Sequence, residues 1–127
     1  GYAGSQVIEV VEVPKKPLAW ILALDIDPGY GVWLDPPLEL VDRELIAMDI
    51  INSGDAKIRW GLYVTRKPAL IELFNDYWIL HSSGDLDGHS IQSIEIDNKR
   101  ALYTFARLKL EKVAGGKASV SVFVTWL

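Results

Sequence analysis

Residues 100–127 alternate apolar side chains with polar or small ones, and this period of two is the strongest constraint on the fold. Apolar residues occupy every second position, for example Leu108 and Leu110 in the first half and Val122 and Val124 in the second. A period of two places successive side chains on opposite faces of an extended strand. The pattern therefore predicts two strands whose even-numbered residues face the core.

Two adjacent glycines, Gly115 and Gly116, lie between these alternating segments. Glycine adopts the positive φ angles of a tight reversal at little steric cost. We therefore predict that the two segments pair as an antiparallel hairpin and that the fold closes on its second strand.

The composition limits the partners and the compartment of the chain. Its 127 residues, half of them hydrophobic, suit one domain with a sizeable core. The longest apolar run, residues 18–24, is much shorter than the ~20 residues of a membrane helix. A net charge of -4 with scattered Lys and Arg provides no basic stripe for phosphates. We expect neither a membrane span nor a nucleic-acid partner.

The chain has no cysteine, which leaves it without disulfides, thiolate metal ligands or a cysteine nucleophile. It begins at Gly1 rather than Met, which favours a mature end left by signal-peptide removal over a tag remnant. A single Met and few Asn and Gln are typical of proteins from hyperthermophiles. We expect an extracellular, thermostable protein.

Turn residues separate a series of short strand-like segments along the chain. Residues 38–51 fit both a helix, by the spacing of their apolar residues, and a strand, by the alternation at their end. We predict a strand, because the turn at 52–55 leads into a strand that needs a neighbour. Residues 68–80 are predicted to form a short helix or irregular crossover, and residues 81–89 a loop. The other predicted strands are residues 6–13, 18–24, 32–34, 57–65 and 90–96.

About eight short strands predict an all-β fold, an antiparallel β-sandwich of immunoglobulin-like or jelly-roll type, with at most one short helix near residues 68–80. Two parts are distinguished in the chain. Residues 1–17 form an N-terminal strand and a prolyl hinge, and residues 18–127 form the sandwich domain.

The N-terminal strand is largely apolar on both faces and is followed by a hinge, residues 14–17, with a proline at each end. It has two possible fates. It can fold back onto its own sandwich, or it can enter the groove of a neighbouring subunit and complete that subunit's sheet. The candidate donor residues are Val7, Ile8, Val10, Val11 and Val13.

No arrangement of residues indicates catalysis. The two histidines, His81 and His89, lie in one predicted loop, and no Gly-x-Ser-x-Gly elbow is present. No carboxylates form a matched pair for glycoside hydrolysis. We expect that the protein is not an enzyme.

Alternating aspartates in two glycine-containing loops offer oxygen ligands of the kind that calcium prefers. The alternative is that they are solvated turn residues, since Asp is common in turns. The candidate metal residues are Asp25, Asp27, Asp85 and Asp87, with calcium as the only cofactor considered.

Most tryptophans share a face with Leu, Ile or Val, so core packing accounts for them. Tyr30 and Trp33 lie beside a predicted loop and are the exposed pair expected to stack on a sugar, if the protein binds one.

With its free strand 6–13, prolyl hinge 14–17, cysteine-free apolar sandwich and terminal strand 118–127, the chain resembles the secreted β-sandwich subunits of archaeal surface filaments and tubes. Those subunits assemble by donor-strand complementation. The resemblance implies that residues 6–13 are the donor strand and that the Asp25 or Asp85 loops hold calcium at subunit contacts.

We therefore expect a structural subunit of an extracellular, pilus-like filament or tube at the cell surface. It would assemble with copies of itself by inserting its N-terminal strand into a neighbour. The alternatives are a monomeric carbohydrate-binding β-sandwich and a virion coat protein.

Overall fold

A computed structural model describes the backbone of residues 18–23 and all atoms of residues 31–66 and 78–126. Strands form wherever apolar and polar residues alternate, because each strand then buries one face and exposes the other. Within these described ranges the structure has nine strands, β1 (Leu18–Ala23), β2 (Gly31–Trp33), β3 (Leu38–Glu39), β4 (Leu45–Asn52), β5 (Lys57–Thr65), β6 (Ile79–Leu86), β7 (Ser90–Asp97), β8 (Phe105–Ala114) and β9 (Ser119–Trp126).

The strands form two antiparallel sheets that pack into a β-sandwich, as predicted. Sheet one has the order β1-β9-β4-β7, and sheet two has the order β2-β8-β5-β6, with β3 also paired to β8. The pairing is nested, because β1 pairs with β9, β2 with β8, β4 with β7 and β5 with β6. This arrangement is that of a jelly roll rather than of an immunoglobulin domain.

The predicted terminal hairpin is wrong. β8 lies in sheet two and β9 in sheet one, so the glycine turn carries the chain from one sheet to the other. The prediction that even-numbered residues face the core is confirmed for Leu108, Leu110, Val122 and Val124. Even-numbered residues face inwards in both strands because the strands cover the same core from opposite sides, not because they pair with each other.

The core lies between the sheets and is almost wholly aliphatic. Ile46, Met48 and Ile50 of sheet one face Leu62 and Leu108 of sheet two, and each is at most 1% exposed. Fully burying such a side chain contributes roughly 1.5–3 kcal/mol, so this layer supplies most of the stabilisation.

The loop predicted for residues 81–89 is also wrong over most of its length, because residues 81–86 belong to β6. The serine and glycine residues of this segment are typical of a turn, but pairing with β5 holds the backbone in an extended conformation. Gly84 lies against the Trp60 indole, where an added Cβ would come within 3.1 Å of the ring. The small residue is thus explained by packing rather than by a turn.

The strand predicted for residues 38–51 is confirmed over Leu38–Glu39 and Leu45–Asn52, and the helical alternative is excluded there. A turn at residues 41–42, with Asp42 at a φ of 63°, separates the two strands. Residues 67–77, which include most of the predicted helix or crossover, lie outside the described residues. The N-terminal strand and hinge, residues 1–17, lie outside them as well.

Two buried asparagines fasten the crossovers between the sheets. At one end, Asn52 donates to the carbonyl oxygens of Ala56 (2.7 Å) and Asp87 (3.2 Å). At the other end, Asn98 donates to the carbonyl oxygens of Leu40 (3.1 Å) and Tyr103 (3.0 Å) and accepts the N–H of Tyr103 (2.9 Å).

Candidate functional site

Strand β7 forms an uninterrupted edge of sheet one. Its eight residues pair in continuous register with β4, from Asp97 opposite Leu45 to Ser90 opposite Asn52. Among the described strands β4 is its only partner, and no described strand pairs with its other side. The strand contains no Pro, no Lys and no bulge, which commonly protect edges, its only charges are Glu95 and Asp97 near one end, and Ile91 on it is 64% exposed. Such an edge is able to accept a further strand.

The outer face of sheet one is uncharged or acidic. A row across the sheet joins Ser121, Ile51 and Ile91 by register. The outward positions of β4, β7 and β9 carry three acids and no Lys or Arg. These acids are Asp49, Glu95 and Asp97.

The edges of sheet two are interrupted. On β6 the register shifts, so that Leu62 pairs with Ser82 but Tyr63 pairs with Leu80, which leaves His81 as an extra residue. At the opposite edge, β2 and β3 are only three and two residues long and are separated by a segment that contains Pro36 and Pro37. A bulge and prolines both disrupt the addition of a strand.

The outer face of sheet two carries aromatic and basic side chains. The rings of Trp33 and Tyr63 lie with their centroids 5.0 Å apart and their planes tilted by 58°. The Arg107 guanidinium is 4.6 Å from the centroid of Trp33 and donates two hydrogen bonds of 3.1 Å to the Asp35 carboxylate. The ammonium of Lys109 is 5.4 Å from the same ring. Cations over the indole fix its position.

A shallow hollow of about 160 Å³ opens beside these rings on the outer face of sheet two. Its lining combines the Tyr63 ring, which lies over Gly61, with charged side chains from β5 and β8. The hollow is lined by Arg59, Trp60, Gly61, Tyr63, Leu80, Ser83, Lys109 and Glu111.

Asp85 pairs with two cations at the end of this face. Its carboxylate accepts a 2.8 Å hydrogen bond from Arg59 and lies 3.9 Å from the ammonium of Lys57. The hydrogen bond from Arg59 lowers the pKa of Asp85 below its usual value, and the same pair raises the pKa of Arg59. Both groups are well exposed, so the pair contributes little to stability.

The four candidate calcium ligands are only partly described. Asp85 pairs with Arg59, and the main-chain carbonyl of Asp87 accepts from Asn52. Asp25 and Asp27 lie outside the described residues. Within the ranges 31–66 and 78–126, no three His, Asp or Glu side chains come together in a metal-binding arrangement. Calcium binding stays a prediction.

The structure places the other candidate residues as follows. Trp33 lies half-buried on the outer face of sheet two, while Tyr30 and all five donor residues lie outside the described ranges. The partner of Trp33 is Tyr63, which the sequence analysis missed. Tyr63 has the same odd-numbered spacing as Lys57 and Arg59 on the polar face of β5, and this spacing could have indicated that its ring lies on the outer face.

The histidines lie apart from each other. His89 is 2.7 Å from the Asp55 carboxylate, and His81 stands edge-on to the Tyr103 ring.

No described helix is long and apolar enough to cross a membrane.

No protein-family model and no curated protein matches the sequence. Similar solved structures include PirA, with a TM-score of 0.54, 11% identity and coverage of 94% of this chain and 100% of that one. A Broad Bean Stain Virus chain has a TM-score of 0.54 and 8% identity over 96% of this chain and 90% of its own. A chain from the naturally occurring empty particles of Cowpea mosaic virus has a TM-score of 0.50 and 8% identity over 95% and 90%. At these identities the likeness shows the fold alone.

Proposed function

We propose that the protein is a structural subunit of an extracellular assembly and that residues 6–13 of one copy pair with the open edge of β7 in the next. The observation that carries the proposal is the contrast between a complete set of eight jelly-roll strands within residues 18–126 and an uninterrupted edge on sheet one. The N-terminal strand is not needed to complete the nested pairing. It is therefore free to serve as a connector.

The length of the hinge supports pairing between copies. From Val13 to Leu18 an extended chain spans at most ~18 Å. A strand beyond β7 stands four strand spacings from β1, about 19 Å in a straight line, and the hinge would also have to pass around the sheet. The outer side of β1 is next to the hinge, whereas the outer side of β7 lies at or beyond the limit of the fully extended hinge. This difference favours a donor strand on β7 that comes from another copy.

The hinge of the donor and the acceptor strand carry opposite charges. The donor segment itself is largely apolar on both faces, with Glu9 on one face and Glu12 on the other. The hinge that follows it carries Lys15 and Lys16, whereas the acceptor strand carries Glu95 and Asp97 and no cation. Main-chain hydrogen bonds supply affinity in such strand addition, and the alternating side chains supply specificity.

Each copy would hold one donor and one acceptor, so the contact is head-to-tail. Such contacts propagate into filaments or tubes unless the rotation between copies closes a ring or shell. The similarity of fold to a chain from cowpea mosaic virus empty particles supports an assembly role and makes a closed coat the alternative product.

The proposal is tested by electron microscopy and size-exclusion chromatography of three proteins. We expect the full chain and a chain without residues 1–5 to form polymers, since both keep the donor strand. We expect a chain without residues 1–13 to remain monomeric. If the full chain is monomeric, or if the protein without residues 1–13 still polymerises, the proposal is wrong.

A further inference from the structure

We infer that the hollow on the outer face of sheet two binds a single sugar ring of an oligosaccharide. This site is separate from the assembly contact, because β7 belongs to the other sheet. The inference does not depend on the proposed function.

The first argument is the aromatic wall. The Tyr63 ring lies along its own strand over Gly61, where an added Cβ would be 3.0 Å from ring atom Cε1. Trp33 supports Tyr63 from one side, and Arg107, itself held by Asp35, supports Trp33. The ring is therefore fixed before any ligand arrives. A preorganised aromatic surface is suited to the apolar face of a pyranose ring.

The second argument is the glycine that lets the aromatic wall lie against the sheet. Gly61 stands in the middle of β5, where glycine costs about 0.5–1 kcal/mol relative to Ala. Its neighbours across the sheet are Lys109 of β8 and Ser83 of β6. Glycine inside a strand often marks the close approach of another group. Here that group is the Tyr63 ring, which occupies the space that a side chain at position 61 would take, so Gly61 sets the position of the aromatic wall.

The third argument is the polar rim. Lys109 supplies donors, Glu111 supplies acceptors, and the Ser83 hydroxyl supplies both. Within the described part of the chain, neither Lys109 nor Glu111 is in an ion pair. Mixed donors and acceptors around an aromatic wall match the hydroxyl groups of a sugar better than they match a simple anion or an apolar ligand.

The size of the hollow limits the ligand. Its volume of about 160 Å³ is below the ~300 Å³ at which sites for drug-sized molecules begin. It accommodates one ring, and its open rim leaves room for the rest of an oligosaccharide to extend along the sheet. Affinity for a short oligosaccharide is therefore expected to be modest.

The test measures binding of three probes, maltohexaose, mannohexaose and hexagalacturonic acid, by calorimetry and tryptophan fluorescence. We expect at least one to bind with a Kd of about 1 mM or tighter. We expect Tyr63→Ala to weaken that binding about tenfold or more, and Tyr63→Phe, which keeps the ring, about threefold or less. The matched control is Phe123→Ala, which removes a half-buried aromatic ring from the outer face of sheet one and should leave binding unchanged.

A second variant tests the same hollow in case Tyr63→Ala does not fold. Glu111→Gln keeps the size of a half-buried rim side chain and removes its charge, and we expect binding to weaken severalfold. Absence of binding to all three probes would overturn the inference. Binding that is unchanged in every folded hollow variant would overturn it equally, since the sugar would then sit elsewhere.

Discussion

The two sheets of the sandwich contribute to one core but differ in their edges and outer faces. Sheet one ends in β7, a continuous eight-residue edge, and its described outward positions carry acids and no cations. Sheet two ends in a bulged strand on one side and in two very short strands on the other. Its outer face is covered by ion pairs and aromatic rings.

In our proposals this difference separates two tasks in one small domain. An interrupted edge resists pairing with another chain, whereas a regular edge invites it. The bulge and the prolines would thus direct strand addition towards sheet one. The aromatic and charged face of sheet two would stay accessible to a small ligand when sheet one is engaged.

The largest expected effect comes from placing a charge at each edge in turn. Ile91→Lys puts a cation at the exposed apolar position of β7, the edge strand of sheet one among the described residues, and we expect it to abolish polymers. The matched control is Ile79→Lys on the bulged β6. The native residues are 64% and 49% exposed, so both substitutions should leave the fold intact. Negative-stain microscopy and light scattering measure the result.

Circular dichroism must show that both variants are folded. Loss of polymers in Ile79→Lys together with normal assembly of Ile91→Lys would reverse the roles that we assign to the two edges.

The next effect concerns how the sheets are joined at their ends. Asn98→Ala leaves the carbonyls of Leu40 and Tyr103 and the N–H of Tyr103 without their side-chain partner. Asn52→Ala removes the corresponding contacts at the other end of the sandwich. We expect each variant to lose about 1–3 kcal/mol in the free energy of unfolding, measured by urea denaturation.

Ser53→Ala serves as the control, because that hydroxyl bonds in an exposed position and should matter by less than about 0.5 kcal/mol. Asparagine variants as stable as the native protein would show that water replaces these contacts and that the crossovers do not depend on them.

The smallest effect lies on the outer face of sheet two. Because the pKa of Asp85 is lowered in the folded state, the Arg59 pair stabilises the protein above the ordinary carboxyl pKa of about 3.9. That contribution is lost as the pH falls through the lowered pKa. We expect Arg59→Gln to raise the pKa of Asp85 towards its usual value, as measured by NMR titration. An unchanged pKa in the variant would show that Arg59 is not the cause of the shift.

The periodicity of the sequence was sufficient to predict most strands and the buried positions on them. Leu108 and Val122 were correctly assigned to the core, because parity determines which face a residue occupies. Parity carries no information on which sheet a strand joins. For this reason the two terminal strands were expected to pair with each other, although they lie on opposite sides of the core.

The remaining failures come from long-range contacts. Asn98 lies just beyond the predicted strand 90–96, but its partner Leu40 is 58 residues away in the chain, so its buried role was not visible. Tyr63 joins Trp33 only because β8 brings β2 and β5 into one sheet. Gly84 was assigned to a loop because nothing in its neighbourhood reveals that Trp60 lies against it.

Disulfide trapping between copies tests the central claim most directly, because the chain contains no cysteine of its own. In the first experiment, protein with Val10→Cys or Val11→Cys is mixed with protein carrying Ser93→Cys, and the mixture is oxidised. In the second, a chain that carries both Val10→Cys and Ile21→Cys is oxidised alone, and an internal disulfide in it shows that the N-terminal strand pairs with β1 of its own chain. Our account predicts a cross-linked pair of unlike chains in the mixture. An internal disulfide in the double variant, with no cross-linked pair in the mixture, would contradict it.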